Sequence, residues 1–428
     1  MILPLLLLLQ AAPAAQDSIP RVTLREALQR SVQLNPDYVQ ALGFVNEAEW
    51  ARTAARIAFV LPSVSVSLDI TKYSQPFFNL GTGGLQSTSV VFQANARYEL
   101  SVRKFTDLSR TSAELESASA SEMQRRYAAA MLTEAAYYDV LAQGELTRVA
   151  RERMDRASEQ LGVARARVES GAAVQTDSLE ARLEFTRSRV GVRLRVTALL
   201  VARLELGRRI GLAGPADAVP LDTLPAPDLP ISLTDAISRA LEQGPEYRVA
   251  RANERASKAF LKGQQGAYLP VIALDANHSR FDTKVFPSAA NFSSLNLGIS
   301  LPIWDNGQRE LAIKQARTVH EVSKAVRSDL ERAAARDVTF AYEGYETARF
   351  TTDLAAEAVA VAQENYRVQD VRYRAGASTI IDLLSAQNGL SDAEAVLVQA
   401  RYANLLALAG LESILGQRLF PERLGEGL

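Results

Sequence analysis

The chain has 428 residues, 47% of them hydrophobic, a formal net charge of −1 and no cysteine. That length accommodates two or three ordinary domains, and the near-neutral balance offers no electrostatic footprint for DNA or RNA. Without cysteine there are no disulfides, thiol nucleophiles, thiolate metal sites or acylated N-terminal cysteine, so membrane attachment must come from the fold.

Residues 1–15, MILPLLLLLQAAPAA, read as a signal peptide. The apolar run from Ile2 to Leu9 is too short to span a bilayer, and Ala12-Pro13-Ala14 offers a small-residue cleavage site, although no Lys or Arg precedes the run. No later stretch reaches about 18 consecutive apolar residues, so no transmembrane helix is expected. The classes left for an exported chain are periplasmic, secreted or β-barrel.

The remainder divides into two repeats, 16–212 and 232–416, joined by a proline-rich connector (213–231) and followed by a tail (417–428). TLREALQRSVQLNPDY (23–38) recurs as SLTDAISRALEQGPEY (232–247), and Leu61-Pro62 recurs as Leu269-Pro270. RARVESGAAVQTDSLEA (165–181) recurs as DVRYRAGASTIIDLLSA (370–386), which pairs Arg167 with Arg372, Gly171 with Gly376 and Asp177 with Asp382. Two copies of roughly 200 residues mark a duplicated domain, because solenoid periods are about 20–50 residues.

Each repeat opens with two helices. Asn35-Pro36 ends the first and starts the second, since proline disfavours α conformation in the residue before it and fits the first helical turn. Gly244-Pro245 repeats the break. After each Leu-Pro the period changes from 3.6 to 2. Val64, Val66, Leu68 and Ile70 alternate with Ser63, Ser65, Ser67 and Asp69; strands are expected at about 63–71, 90–100, 270–279 and 294–302. Runs of 9–11 residues suit a tilted strand crossing a bilayer. The stretches 72–87 and 280–294 are rich in Gly, Ser, Asn and Pro and read as hairpin loops.

Such alternation also occurs on one face of a soluble sandwich. Here only four strands are expected, with no second sheet to pack on and a polar face of little bulk. Long proline-free helices follow, about 106–168 and 307–374, each with a second helix after it, about 177–212 and 379–416. Sixty helical residues extend on the order of 90 Å, beyond a globular domain. Four strands cannot close a transmembrane barrel, and open edges in lipid leave backbone groups unbonded. Two chains would supply eight strands and a filled interior; three would supply twelve and a water-filled lumen.

These features resemble the outer membrane efflux protein family, the TolC-like channels, over about residues 20–416. The resemblance rests on the Leu-x-x-Ala-[Leu/Ile] runs ending in Asn35-Pro36 and Gly244-Pro245, on the Leu-Pro strand entries, on the exit Pro302-Ile303-Trp304-Asp305-Asn306-Gly307, and on the turn Tyr373-Arg374-Ala375-Gly376 followed by Asp382 and Leu384. It implies a mainly α chain with a transmembrane β-barrel part, assembled as a homotrimer in the cell outer membrane. Twelve strands would form the barrel, continued by a long α-helical barrel in the periplasm that docks a periplasmic adaptor (membrane fusion) protein and an inner-membrane transporter. The function implied is a passive exit channel for efflux or type I secretion, with no cofactor. The first repeat departs from the pattern: its exit is Leu100-Ser101-Val102-Arg103-Lys104-Phe105, and Val168 stands where the second repeat has Tyr373. Ser385 replaces the second Asp that gated relatives carry three residues beyond Asp382, which weakens the expectation of a two-ring acidic gate.

The turns at Gly171 and Gly376, with Arg167 and Arg372, mark the end farthest from the barrel and the expected adaptor contact. Candidate gate or lumen residues there are Asp177, Glu180, Tyr373, Asp382 and Ser385. A Tyr373 hydroxyl donating to Asp177 would latch the two hairpins. The other reading is helix capping, for which Asp177 with Glu180, and Thr379 with Asp382, have capping-box spacing. Enzymatic readings lack support. His278 and His320 are the only histidines and have no neighbouring ligand residues of their kind. Ser101-Val102-Arg103-Lys104 lacks the companion motifs of a Ser-x-x-Lys enzyme, and Gly81-Thr82-Gly83-Gly84 lacks the Gly-Lys-[Ser/Thr] of a phosphate loop. Two alternatives remain at this point: a periplasmic adaptor with one long hairpin, and a soluble coiled-coil scaffold.

Overall fold

The structure is a computed structural model that describes residues 19–79, 83–221, 228–283 and 290–420. The expected signal segment, residues 222–227 of the connector and residues 421–428 of the tail lie outside the described residues.

β1 (Arg21–Val22) leads into α1 (Leu24–Leu34) through a capping box: the Glu26 amide donates to Thr23 Oγ1 at 3.3 Å and the Thr23 amide donates to Glu26 Oε2 at 3.0 Å. Asn35 closes α1 and caps α2 (Pro36–Val60), accepting from the amides of Asp37 at 2.9 Å and Tyr38 at 3.2 Å. Then come β2 (Ser63–Asn79), β3 (Gly84–Leu100), α3 (Val102–Glu169), α4 (Gln175–Arg209) and β4 (Asp217–Ala218). The second repeat supplies α5 (Leu233–Gln243), α6 (Pro245–Gln265), a 3-10 turn, β5 (Val271–Asp282), β6 (Ala290–Ser300), α7 (Gln308–Arg374) and α8 (Ile380–Leu415). At 68 and 67 residues, α3 and α7 are each roughly 100 Å long.

An 11-residue helix such as α1 is marginal alone. It is held by burial of Ala27, Leu28 and Val32, in a core where Val22, Tyr137 of α3, Leu206 of α4 and Val398 of α8 also converge. Tyr137 Oη donates to the Val219 carbonyl at 2.6 Å, beside the parallel β1–β4 pair. Burial pushes its hydroxyl pKa up to about 12. A second core gathers Ala236 and Ala240 of α5, Val338 of α7, and Leu411 and Leu415 of α8. Next to these cores, Arg418, just past α8, donates to Glu412 at 2.7 Å and to Glu134 of α3 at 2.6 Å. Both carboxylates are buried, and the guanidinium also stands over the Tyr127 ring.

The four antiparallel strands run in the order β2-β3-β5-β6, so β3–β5 joins the repeats while β2 and β6 are edges. In this register Val66, Ala94 and His278 share one face with Leu68, Phe92 and Arg280, and lower on the same face lie Tyr98, Leu274 and Leu297. The opposite face carries Ser67 and Gln93, and Asn95 with Asn277 and Ser294. The apolar face is bare on the edge strands, where Val66 is 64% exposed and Leu297 is 68% exposed, while Val90 of β3 is buried.

The sheet extends farther than the alternating runs indicated. β2 and β3 are 17 residues each, taking in most of the stretch 72–87 read as loop. Tyr73, Phe77 and Phe78 favour extended backbone, and the register shifts between Lys72 and Phe77, around Pro76. Proline is tolerated there because β2 is an edge. The two strand exits also differ. Ser101 passes from β3 directly into α3, whereas Asn306 (φ 58°) and Gly307 (φ 78°) form a left-handed corner before α7. There the Asp305 carboxylate accepts from the Arg309 amide at 3.0 Å. Among the described residues, no helix is long and apolar enough to cross a membrane.

Candidate functional site at the hairpin tips

Each pair of long helices turns through a glycine in the left-handed region, Gly171 (φ 76°) and Gly376 (φ 79°), a conformation that penalises any Cβ. The amides of Ala172 and Ala377 donate back to the carbonyls of Arg167 and Arg372, each at 2.8 Å. The same arginines staple the turns in return: Arg167 Nη2 donates to the Ala172 carbonyl at 3.2 Å, and Arg372 Nη2 to the Ala377 carbonyl at 3.3 Å. The duplicated sequence therefore builds the duplicated turn.

Beyond that staple the repeats diverge. Arg167 crosses to the second hairpin, donates to the Tyr373 carbonyl and lies over its ring, 4.5 Å from the centroid. Val168 at the matching position gives Arg372 no such ring. Tyr373 is buried among Leu161, Ala164, Ala181, Ile380 and Leu383, which closes the tip as a small apolar core.

The Tyr373 hydroxyl lies close enough to Asp177 for the carboxylate to act on it, but no hydrogen bond of normal distance and angle joins the two. Burial raises the phenol pKa and the nearby Asp177 charge adds to the rise, against a smaller opposing pull from Arg167. Asp177 is half-buried in the first turn of α4. Its capping-box pairing with Glu180 does not occur, since the helix starts earlier with Val174 as its cap and no side-chain cap bond. Asp382 does cap α8. It accepts from Thr379 Oγ1 at 2.7 Å, the Thr379 amide at 3.1 Å and Ser378 Oγ at 3.2 Å. The Thr379 hydroxyl is the main cause of its lowered pKa. Glu180 and Ser385, like Asp382, are solvent-exposed in the single chain.

Thr379→Ala removes the reciprocal bond of this box and should cost about 1 kcal/mol. Hydrogen exchange localised to the first turn of α8 would register the loss; unchanged protection would show the box to be idle.

A polar layer farther from the tip was not anticipated from sequence. Arg153 of α3 donates to Glu184 of α4 at 2.7 Å and to Asn388 of α8 at 2.7 Å, so one guanidinium ties both hairpins. Arg156 reaches Ser391 at 3.3 Å and Glu394 at 3.2 Å on α8. The one available signal was Gln387, a fully buried polar residue in the helix stripe between Leu383 and Leu390. Arg153 and Glu184 look like ordinary surface charges in helices full of them. Among the described residues no cluster of His, Cys, Asp and Glu could hold a metal ion.

The family model for outer membrane efflux proteins matches residues 27–211 and 236–417. BepC, an outer membrane efflux protein of Brucella suis, is 26% identical over 297 residues, 68% of this chain and 63% of that one. The match thus spans less than two thirds of BepC's length. OpmQ of Pseudomonas aeruginosa, a pyoverdine export outer membrane protein, is 26% identical over 423 residues, 94% of this chain and 86% of its own. The crystal structure of the Campylobacter jejuni CmeC outer membrane channel superposes with a TM-score of 0.77 at 15% identity, covering 92% of this chain and 85% of that one.

Proposed function

This chain belongs to the outer membrane efflux protein family, and from that membership we propose that it is a passive exit channel of the outer membrane, assembled as a homotrimer. On this reading it receives cargo from an inner-membrane transporter through a periplasmic adaptor, and those partners select the cargo. The observation that carries the proposal is the isolated four-stranded sheet, apolar and bare on one face, whose edges β2 and β6 have no partner strand among the described residues. An unpaired backbone group in hydrocarbon costs several kcal/mol, so such a sheet is stable in lipid only as part of a closed barrel. Joining β6 of one chain to β2 of the next three times over gives twelve strands around a polar lumen. The roughly 100 Å helices then carry the lumen into the periplasm. Family membership over both repeats leaves no support for the adaptor or scaffold alternatives.

The tip would form the periplasmic entrance. Asp177, Asp382, Glu180 and Ser385 are the lumen candidates; Arg167, Gly171, Arg372 and Gly376 lie on the turns an adaptor would meet. Rings of three carboxylates favour cations and repel one another, and the Arg167–Tyr373 contact opposes that repulsion by holding the hairpins together. Two measurements test the reading. The particle extracted by detergent from outer membranes should have a protein mass near three times 46.6 kDa, less the signal; a monomer released without detergent would overturn it. In planar bilayers, Asp177→Ala and Asp382→Ala should each raise single-channel conductance and weaken cation preference. Unchanged conductance and selectivity in both would remove the gate assignment while leaving the channel.

Tyr373→Phe separates packing from latching. Because the buried phenol oxygen makes no hydrogen bond of normal geometry and only a weak approach to Asp177, its removal should change stability by no more than about 1 kcal/mol. A marked loss of thermal stability would mean that the oxygen is bonded in the assembled protein.

A further inference from the structure

The apolar face of the sheet changes character with height, and the two hairpins change at different levels. On the first hairpin Val64 with Ala96, Val66 with Ala94, Leu68 with Phe92 and Ile70 with Val90 keep it apolar. On the second, Ile272 with Ile299, Leu274 with Leu297 and Ala276 with Leu295 are followed by His278 with Ser293 and Arg280 with Asn291. The β3–β5 register lays His278 beside Ala94 and Arg280 beside Phe92, so a polar notch opens in the face next to Phe92 and Leu68. His278 Nδ1 and Ser293 Oγ bond each other at 2.8 Å. Arg280 is exposed and has no ion-pair or hydrogen-bond partner among the described residues.

The charges of the sheet are sorted by face. Asp69, Arg97, Glu99 and Asp275 lie on the polar face. On the apolar face, Asp282 is buried and its carboxylate accepts from the Thr283 amide at 2.6 Å. The exposed charges left there, Arg280 and the equally unpartnered Lys72, are both positive and both at the end away from the helices. Directly below the notch, a shallow trough of about 510 Å³ runs over Ala94, Ala96 and Ala276, walled by Val64 and Leu295 and ended by His278 and Ser293. At the opposite rim Trp304 is 74% exposed, as in an aromatic girdle. With a rise of about 3.4 Å per residue and a strand tilt of about 40°, Arg280 stands about 26 Å above the level of Leu301, the height of an apolar band of about 25 Å. Arginine facing lipid is tolerated only near an interface, so Arg280 marks the headgroup level on the far side.

We propose that this face is a binding site for a phosphorylated lipid of the outer leaflet: Arg280, with Asn291 beside it, holds the phosphate, and an acyl chain lies in the trough over Ala94, Ala96 and Ala276. The inference rests on the outer-membrane reading above and adds a ligand class to it. A guanidinium offers a phosphate two parallel donors, and near the low-dielectric edge of a bilayer that pairing is stronger than in water. The site is built on β3, β5 and β6 of one chain, so each chain carries one whole site.

Native mass spectrometry of the full chain in detergent, with diphosphoryl lipid A added, counts the lipid that each particle retains. Retention should approach one lipid per chain and fall several-fold with the dephosphorylated glycolipid. Arg280→Gln should lower it several-fold and Arg280→Lys should recover part of the loss, while Arg97→Gln, on the opposite face, should leave it unchanged. Excess inorganic phosphate should not displace the lipid. Equal retention of the phosphorylated and dephosphorylated forms by the unmodified protein would overturn the site, and that comparison stands even if Arg280→Gln fails to assemble. Wild-type retention by an assembled Arg280→Gln particle would overturn it too, as would displacement by inorganic phosphate. Any of these results in a particle of trimer mass leaves the channel reading standing; a monomer released without detergent would remove both.

Discussion

Val66→Arg should abolish or sharply reduce the yield of assembled protein in the outer membrane, while Ser67→Arg, one residue along the same strand, should not. Val66 and Ser67 lie on opposite faces of β2, one level with Ala94, the other with Gln93. If the bare apolar face meets lipid, an arginine there costs about 2–4 kcal/mol near the bilayer midplane, once for every chain in the barrel. At position 67 the new guanidinium would face the lumen within reach of Asp69, whose carboxylate already accepts from Ser67 Oγ at 3.3 Å. Quantifying SDS-resistant oligomer in isolated outer membranes for the two variants decides the matter. Equal tolerance would mean that the sheet is not lipid-facing, and reversed tolerance would turn the barrel inside out.

The second large effect is expected at Arg418. Among the described residues its guanidinium is the only counter-charge within hydrogen-bond distance of Glu134 and Glu412, which are 2% and 4% exposed. Arg418→Met would leave two neighbouring carboxylates buried without a cation, a change that costs about 3–5 kcal/mol when one partner of a buried pair is removed. Burial holds Glu134 above its ordinary value, with Arg418 pulling it back down. A carboxyl whose folded pKa is raised contributes its full stability below the unfolded pKa, near 4.5, and loses it as pH climbs through the folded value. Without Arg418 that rise is larger, so the variant's deficit should be greatest near neutral pH and shrink towards pH 5. Thermal unfolding of the detergent-solubilised protein at the two pH values measures it. A deficit independent of pH would show that packing over Tyr127, rather than charge, is what Arg418 supplies.

The periodic parts of this fold were legible in the sequence because their signals are local. Asn35-Pro36 marks a helix boundary through bonds spanning two or three residues, and those bonds are present. The alternation of Val64 to Ile70 with Ser63 to Asp69 likewise reports which face each side chain takes. Beyond Thr71 the alternation lapses and Pro76 intervenes, so the continuation of β2 depended on pairing with β3, a long-range fact. The tip was legible in part. Gly171 and Gly376 announce their turns, and the Thr379/Asp382 box forms as its spacing suggests. The Asp177/Glu180 box does not, because α4 begins one turn-half earlier at Gln175, where no residue type marks a start. Arg153 bridging Glu184 and Asn388 was out of reach, since it depends on how two hairpins lie against each other and not on any spacing within one.

The unequal strand exits bear on mechanics. In the first repeat β3 runs into α3 with a single intervening residue, a short splice that would pass torque from sheet to helix. In the second, seven residues with a left-handed corner at Asn306-Gly307 separate β6 from α7. In a ring of three chains, rigid couplings and jointed ones would alternate around the waist. Twisting of the periplasmic tube against an anchored barrel would then be taken up at three elbows, with the other three acting as fixed pivots.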